Sequence, residues 1–353
     1  MRASVTSPSG RFAAEAFEQY VRARRTVVDG VVFFLESAAD LPEVEAIAEP
    51  GDIVIAPSGS TDGGGRRLIR YEGRFCEPGD QMTLGGGLRY HLQDYLAAPF
   101  LLIDRPTVIR LHRLEGVAAL LNDADLAWET GVFVGQLLSS AAMIDSHASF
   151  LPAPPSGDAL VRIHVTAEGD YRDGPDGLLL GVVGDERAEL EATAAEHGGP
   201  GRALARVVPP GVLEADLDDR PWFGRYMMAL ALLRGRDDLP PRPALSGFGG
   251  HLVGALDDVD AHPRAVAVDA PFLVTGEGDE YLLLDPTSGI RLRLGVDAAR
   301  AAECLIATGE EPGAAALLAS ELGSRASAVR PLLRQLRRRL AAAGLDVPAA
   351  PRR

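Results

Sequence analysis

Between positions 271 and 345 apolar runs alternate with turn chemistry, and one order of elements fits: three short strands, then three helices. The runs at 272–275, 281–284 and 290–294 are four or five residues long, the length of strands rather than helices. Gly276-Glu277-Gly278-Asp279-Glu280 separates the first two, and Asp285-Pro286-Thr287-Ser288-Gly289 the next two; both are turn sequences between apolar runs. In the third strand Ile290, Leu292 and Leu294 face one side and Arg291 and Arg293 the other, the alternation of a sheet covered by helices on one face only. Segments 297–308, 312–322 and 328–343 have helical spacing. In the last of them Val329, Leu332, Leu333, Leu336 and Leu340 form one apolar stripe, flanked by Arg330, Arg334, Arg337 and Arg338. Pro331 suits only the start of a helix, which places that start near Ser327. The expected fold class is α+β, ending in a small winged helix-turn-helix, a module that recognises nucleic acid or peptide.

The remaining residues predict a larger domain of mixed α and β structure over 1–240, divisible near 152, where Pro152–Gly157 reads as a linker or long loop. Strands are expected at 27–35, 52–56, 67–71, 100–112, 160–165 and 178–183. Helices are expected at 11–25, 114–122, 133–143, 186–197 and 222–233. A glycine- and serine-rich loop spans 57–65, and a proline-rich polar stretch at 236–243 marks the domain boundary. Residues 241–265 then form a linker, and 266–346 the terminal domain. The topology of the first domain is not legible from these patterns.

Catalytic signatures are absent from the sequence. No G-x-S-x-G elbow, H-E-x-x-H or Walker A loop occurs, and a chain without lysine cannot supply the last. Gly247-Phe248-Gly249-Gly250-His251 reads as flexible linker ahead of phosphate cradle, and Asp145-Ser146-His147 as a helix end. Asp216, Asp218 and Asp219 read as a solvated helix approach, and Cys76 and Cys304 as buried thiols. No catalytic residue, metal site or cofactor is therefore expected. The opening residues lack the apolar stretch of a secretory signal, and no run reaches membrane-spanning length, so the expected location is cytoplasmic.

A net charge of −15 opposes broad binding to nucleic acid, whose affinity comes from neutralised phosphates. The charge is uneven: residues 270–353 hold eleven arginines against ten acids, so nearly all the negative excess lies in the first 269 residues. Two readings of the terminal module compete. In one the last helix enters a DNA major groove. In the other an extended peptide adds to the third strand as a fourth, its side chains settling between that strand and the last helix. For each arginine a third possibility is a solvated face near the helix C-terminus.

Strands before helices favour the peptide. That order, with "EYLLLDPTSGIRLRL", then "DAARAAECLIATGEEP" and "VRPLLRQLRRRLAAAGL", resembles the PqqD-like recognition element of pathways that make peptide natural products on ribosomes. The family's tyrosine-leucine-leucine-aspartate hairpin closing on Thr-Gly matches Tyr281–Gly289, and its leucine-glycine-leucine ending matches Leu340–Leu345. The resemblance covers about a quarter of the chain. It implies leader-peptide binding between the third strand and the last helix, at Ile290, Arg291, Leu292, Arg293 and Leu294 and at Val329, Arg330, Leu333, Arg334 and Arg337. The architecture also resembles the stand-alone recognition protein of daptide pathways, which implies presentation of a precursor peptide to separate tailoring enzymes. The expected partners are therefore a precursor leader and tailoring enzymes, with no nucleic acid and no membrane, and with the first domain docking an enzyme or dimerising. The alternatives are a winged-helix transcriptional regulator with an N-terminal sensor domain, and a modifying enzyme fused to a recognition element.

Overall fold

The computed structural model describes residues 8–59, 68–85, 87–151, 160–197, 200–209, 211–236, 244–257, 266–275 and 280–345. Most of the loop at 57–65, the stretch at 152–157, nearly all of 236–243 and the turn at 276–279 lie outside the described residues. The chain divides into two compact units, residues 1–120 with 135–219 and residues 121–134 with 220–353.

The first unit opens with α1 (Pro8–Arg22), β1 (Val32–Leu35), α2 (Leu41–Ile47), β2 (Ile53–Pro57) and β3 (Leu68–Gly73). There follow β4 (Gln81–Leu84), β5 (Leu88–Asp94), β6 (Thr107–Arg110) and α3 (Leu114–Thr130), the helix whose residues are divided between the units. After it come β7 (Ala142–Ile144), β8 (Arg162–Val165), β9 (Asp170–Arg172), β10 (Leu179–Val182), α4 (Arg187–Glu196), α5 (Pro200–Ala203) and α6 (Val212–Asp218). All ten strands join one sheet in the order β10-β9-β8-β1-β2-β3-β4-β5-β6-β7. Strands β8, β1, β2 and β3 run parallel, as do β5, β6 and β7; β4 turns between the two groups, and β9 and β10 form an antiparallel end.

Strand β1 is buried on both faces, which is why it reads Val-Phe-Phe-Leu without alternation. Phe34 packs with Phe17 and Tyr20 of α1, while Phe33 and Leu35 pack with Leu41 and Val44 of α2 and Leu190 of α4. The Phe17 ring centroid lies 6.2 Å from that of Phe34, 5.3 Å from Phe75 and 4.6 Å from Tyr90, so α1 crosses several strands of one face.

The spacing of 133–143 predicts a helix, but the chain forms a short 3-10 turn at Gly135–Leu138 and then β7. Ala142, Met143 and Ile144 pair in parallel with Thr107, Val108 and Ile109, and all three are buried; joining the sheet outweighs the helix propensity of the run. Asp145-Ser146-His147 accordingly follows a strand and does not end a helix. Ser146 takes a left-handed conformation (φ 58°) that carries the Asp145 carboxylate and its own hydroxyl inward.

There Asp145 bridges two buried arginines, Arg110 Nε at 2.7 Å and Arg162 Nη1 at 2.9 Å. Burial alone would raise the Asp145 carboxyl, but the two guanidinium groups hold it below its ordinary value. Arg162 also donates to the Tyr20 and Val21 carbonyls at the end of α1, at 3.0 and 3.2 Å, satisfying acceptors a helix terminus leaves open. Arg110, Asp145 and Ser146 border a void with no room for a water. The cluster is a fastening between α1 and the sheet.

The second unit contains α7 (Phe223–Leu233), β11 (Phe272–Thr275), β12 (Tyr281–Leu284), β13 (Arg291–Leu294), α8 (Val296–Thr308), α9 (Glu311–Glu321) and α10 (Ala326–Ala342). The strands form an antiparallel sheet in the order β11-β12-β13, and three helices follow it, as the sequence predicts. Leu273 and Leu283 of the sheet share one core with Ala302 and Leu305 of α8, Leu318 of α9, and Leu333, Leu336 and Leu340 of α10. Each leucine so buried contributes about 1.5–3 kcal/mol. Helix α10 begins at Ala326, so Pro331 stands in its second turn. Of the segment 241–265, residues 244–257 are described; Leu245, Phe248, Val253 and Leu256 are buried there, and Leu245 bridges to Val274 beside β11. Among the described residues no helix is long and apolar enough to cross a membrane.

Candidate functional site

Strand β13 pairs with β12 on one side, and no strand is described on its other side. The Asp285 N–H donates to the Ile290 carbonyl at 3.0 Å, which fixes the phase of the ladder. In an antiparallel pair hydrogen-bonded and non-bonded positions alternate. Leu292, opposite Leu283, therefore turns its backbone to β12, while Arg293 turns its N–H and C=O away. Side chains alternate in the same register: Arg291 and Arg293 are exposed, and Ile290, Leu292 and Leu294 are half-buried against the core of the unit. Across the ladder Arg293 lies 3.6 Å from Glu280 in an exposed pair.

The residues expected on the last helix divide. Val329 and Leu333 are 5 % and 0 % exposed and belong to the core, so their side chains are not offered to a ligand. Arg330 is exposed. Arg334 pairs with Glu311 at 2.9 Å, and Arg337 donates to the Gly309 carbonyl at 3.0 Å, so both reach the junction of α8 and α9. The two segments approach at the end of α10, where Ile290 Cδ1 lies 3.5 Å from the position a Cβ on Gly344 would take.

A second feature of this unit is a cavity, walled by a run that the sequence predicts to be flexible linker. The run Gly247–His251 forms one wall of a cavity of about 460 Å3, completed by residues of α3, α7, β11 and α8. Glu303, on the otherwise apolar face of α8, holds that wall: it accepts from the Leu252 N–H at 2.9 Å, the Val253 N–H at 2.6 Å and the Ser246 hydroxyl. Gly249 closes the wall with φ 75° and donates to the Trp128 carbonyl at 2.9 Å. A Cβ there would fall 2.5 Å from the Gly131 nitrogen, so only glycine fits.

Ser246, His251 and Glu303 are the residue types of a hydrolytic triad, but the geometry is not one. A single imidazole nitrogen, Nδ1, lies 3.5 Å from the serine oxygen and 3.2 Å from the carboxylate, so the ring does not bridge them. On the opposite side Arg225 lies 3.9 Å over the Phe272 ring and donates to the carbonyls of Ala267, Ala270 and Pro271 at 3.0, 2.9 and 3.3 Å. Among the described residues no carboxylate stands within ion-pair distance of it. Burial brings the guanidinium down to about 9, against the opposing charge of Asp269. An acid in the apolar run Ala-Ala-Glu-Cys-Leu-Ile was the one sequence signal of this site. In comparisons with known proteins, no family model, no curated protein and no solved structure matches this chain.

Proposed function

We propose that the second unit binds an extended peptide along β13, which the peptide joins as a fourth strand. The observation that carries this reading is that, among the described residues, β13 pairs on one side only, with the Arg293 backbone turned outward. Strand addition draws affinity from such backbone groups and selectivity from neighbouring side chains. In the same reading the three strands and three helices are a PqqD-like winged helix-turn-helix. Its ligand is the leader of a ribosomally made precursor, presented to separate tailoring enzymes as in daptide pathways, and the chain itself does no chemistry. Arg293 and Arg330 favour a leader carrying Asp or Glu beside its apolar anchors, since charge-assisted pairs are the stronger hydrogen bonds.

The test uses synthetic peptides spanning any short reading frames found beside this gene, with affinity read by fluorescence anisotropy. Arg293→Pro removes one outward N–H and leaves the ladder to β12 intact, a substitution edge strands tolerate. It should weaken binding about tenfold or more, the cost of a lost hydrogen bond in a desolvated edge, while Arg293→Ala should weaken it about threefold at most. Equal effects of the two substitutions would remove strand addition from consideration.

A further inference from the structure

The cavity in the second unit has a sorted charge pattern. Arg225, one of its deepest lining residues, is 6 % exposed, and its three hydrogen bonds to described residues leave capacity among the five donors of a guanidinium. Glu303 is as deep, but the N–H groups of Leu252 and Val253 and the Ser246 hydroxyl occupy its oxygens, so its charge is spent on the wall. The exposed lining residues include two more acids, Glu129 and Asp257. Between floor and mouth Leu256, Leu273 and Ile306 are buried and apolar, and Ser246 and His251 stand on the nearer wall.

A floor that offers cationic donors beneath a mouth that carries carboxylates repels a simple anion at entry. Inside, a simple cation meets Arg225 and, as its one deep carboxylate, a Glu303 already accepting three hydrogen bonds. We propose that the cavity binds a small amphoteric molecule, its carboxylate on Arg225, its ammonium toward Glu129 and Asp257 and an apolar body between them. That is the chemistry of a free amino acid or a short apolar peptide. A volume of about 460 Å3 lies in the range of small-molecule sites. The glycines at 247, 249 and 250 let backbone rather than side chain form the nearer wall. This site is separate from the β13 edge and does not rest on strand addition.

Calorimetric titration of the full chain with leucyl-leucine, N-acetyl-leucyl-leucine and leucyl-leucinamide tests it. The free dipeptide should bind, and blocking either terminus should weaken binding about tenfold or more, because a site built to pair a charged group rejects the analogue lacking it. Ala307→Trp, which fills the cavity from α8 without removing a polar group, should weaken the free dipeptide by about tenfold or more, as should Arg225→Gln. Arg225 also fastens the residues before β11, so if that variant does not fold the blocked dipeptides and Ala307→Trp decide. No binding of leucyl-leucine, an amide as tight as the acid, or indifference to Ala307→Trp would each overturn the proposal. Leader binding unchanged by Ala307→Trp would show the two sites to be distinct.

Discussion

Glu36 is pulled in opposite directions. Burial raises its carboxyl, but a hydrogen bond and charge from His164, the Cys76 thiol and the Ala167 N–H together lower it from an ordinary 4.5 to about 2. His164 is itself pushed down by burial, though its bond to Glu36 opposes the shift, and its other nitrogen meets the Tyr20 hydroxyl at 2.7 Å. Both groups bind protons more readily in the unfolded chain than in the fold. Their stabilisation is therefore complete above the unfolded values, and that of Glu36 is lost as pH falls from 4.5 toward 2. The urea midpoint of the parent should drop between about pH 5 and about pH 3, and Glu36→Gln should flatten that drop. An equal drop in the variant would assign acid lability to other carboxylates. Cys76, pushed up to about 12 by burial and by Glu36, stays a protonated thiol and has little nucleophilic character.

Helix α10 ends in a complete Schellman motif. The Leu345 N–H donates to the Leu340 carbonyl at 2.9 Å and the Gly344 N–H to that of Ala341 at 3.0 Å, with Gly344 at φ 79° and both leucines buried. Gly344→Ala should cost about 1–2 kcal/mol, read as a lowered denaturant midpoint, from the left-handed backbone alone, because the new methyl meets Ile290 at an ordinary distance. No loss would mean that the terminus rearranges. This stop was legible in the sequence, as were the six elements before it, because turn residues separate them and the last helix buries a single stripe, Val329, Leu333, Leu336 and Leu340.

Elsewhere legibility failed for physical reasons. Strands β4, β5 and β9 went unread; β4 and β9 are only four and three residues long, and the hairpin of β4 and β5 closes on a run of glycines. The Ala-Ala-Met-Ile run of β7 carries no period and is decided by its partner β6. Val329 and Leu333 fit the helix as read, yet the stripe that identifies the helix is the surface it buries. The cavity draws residues from four elements and a loop, a convergence that no local pattern records.

At the scale of the molecule, charge separates the competing readings of the terminal unit. The chain carries −15 overall and its last 84 residues are close to neutral, a balance that opposes non-specific attraction of a DNA duplex. A random duplex should show no binding at about 0.15 M salt; tight association with a steep salt slope would favour a transcriptional regulator. The first unit carries a different constraint. Its central strand β1 lies between β2, which follows closely in sequence, and β8, which pairs Val32 with Arg162 after some 130 residues. Until residue 165 has left the ribosome, one edge of this apolar strand has no partner, and the fastening of Arg162 to α1 cannot form. Long-range parallel pairing of this kind forms slowly and leaves sticky edges waiting. Translation thus sets the earliest moment at which the first unit can close, and a nascent chain stalled before that point holds an apolar strand open.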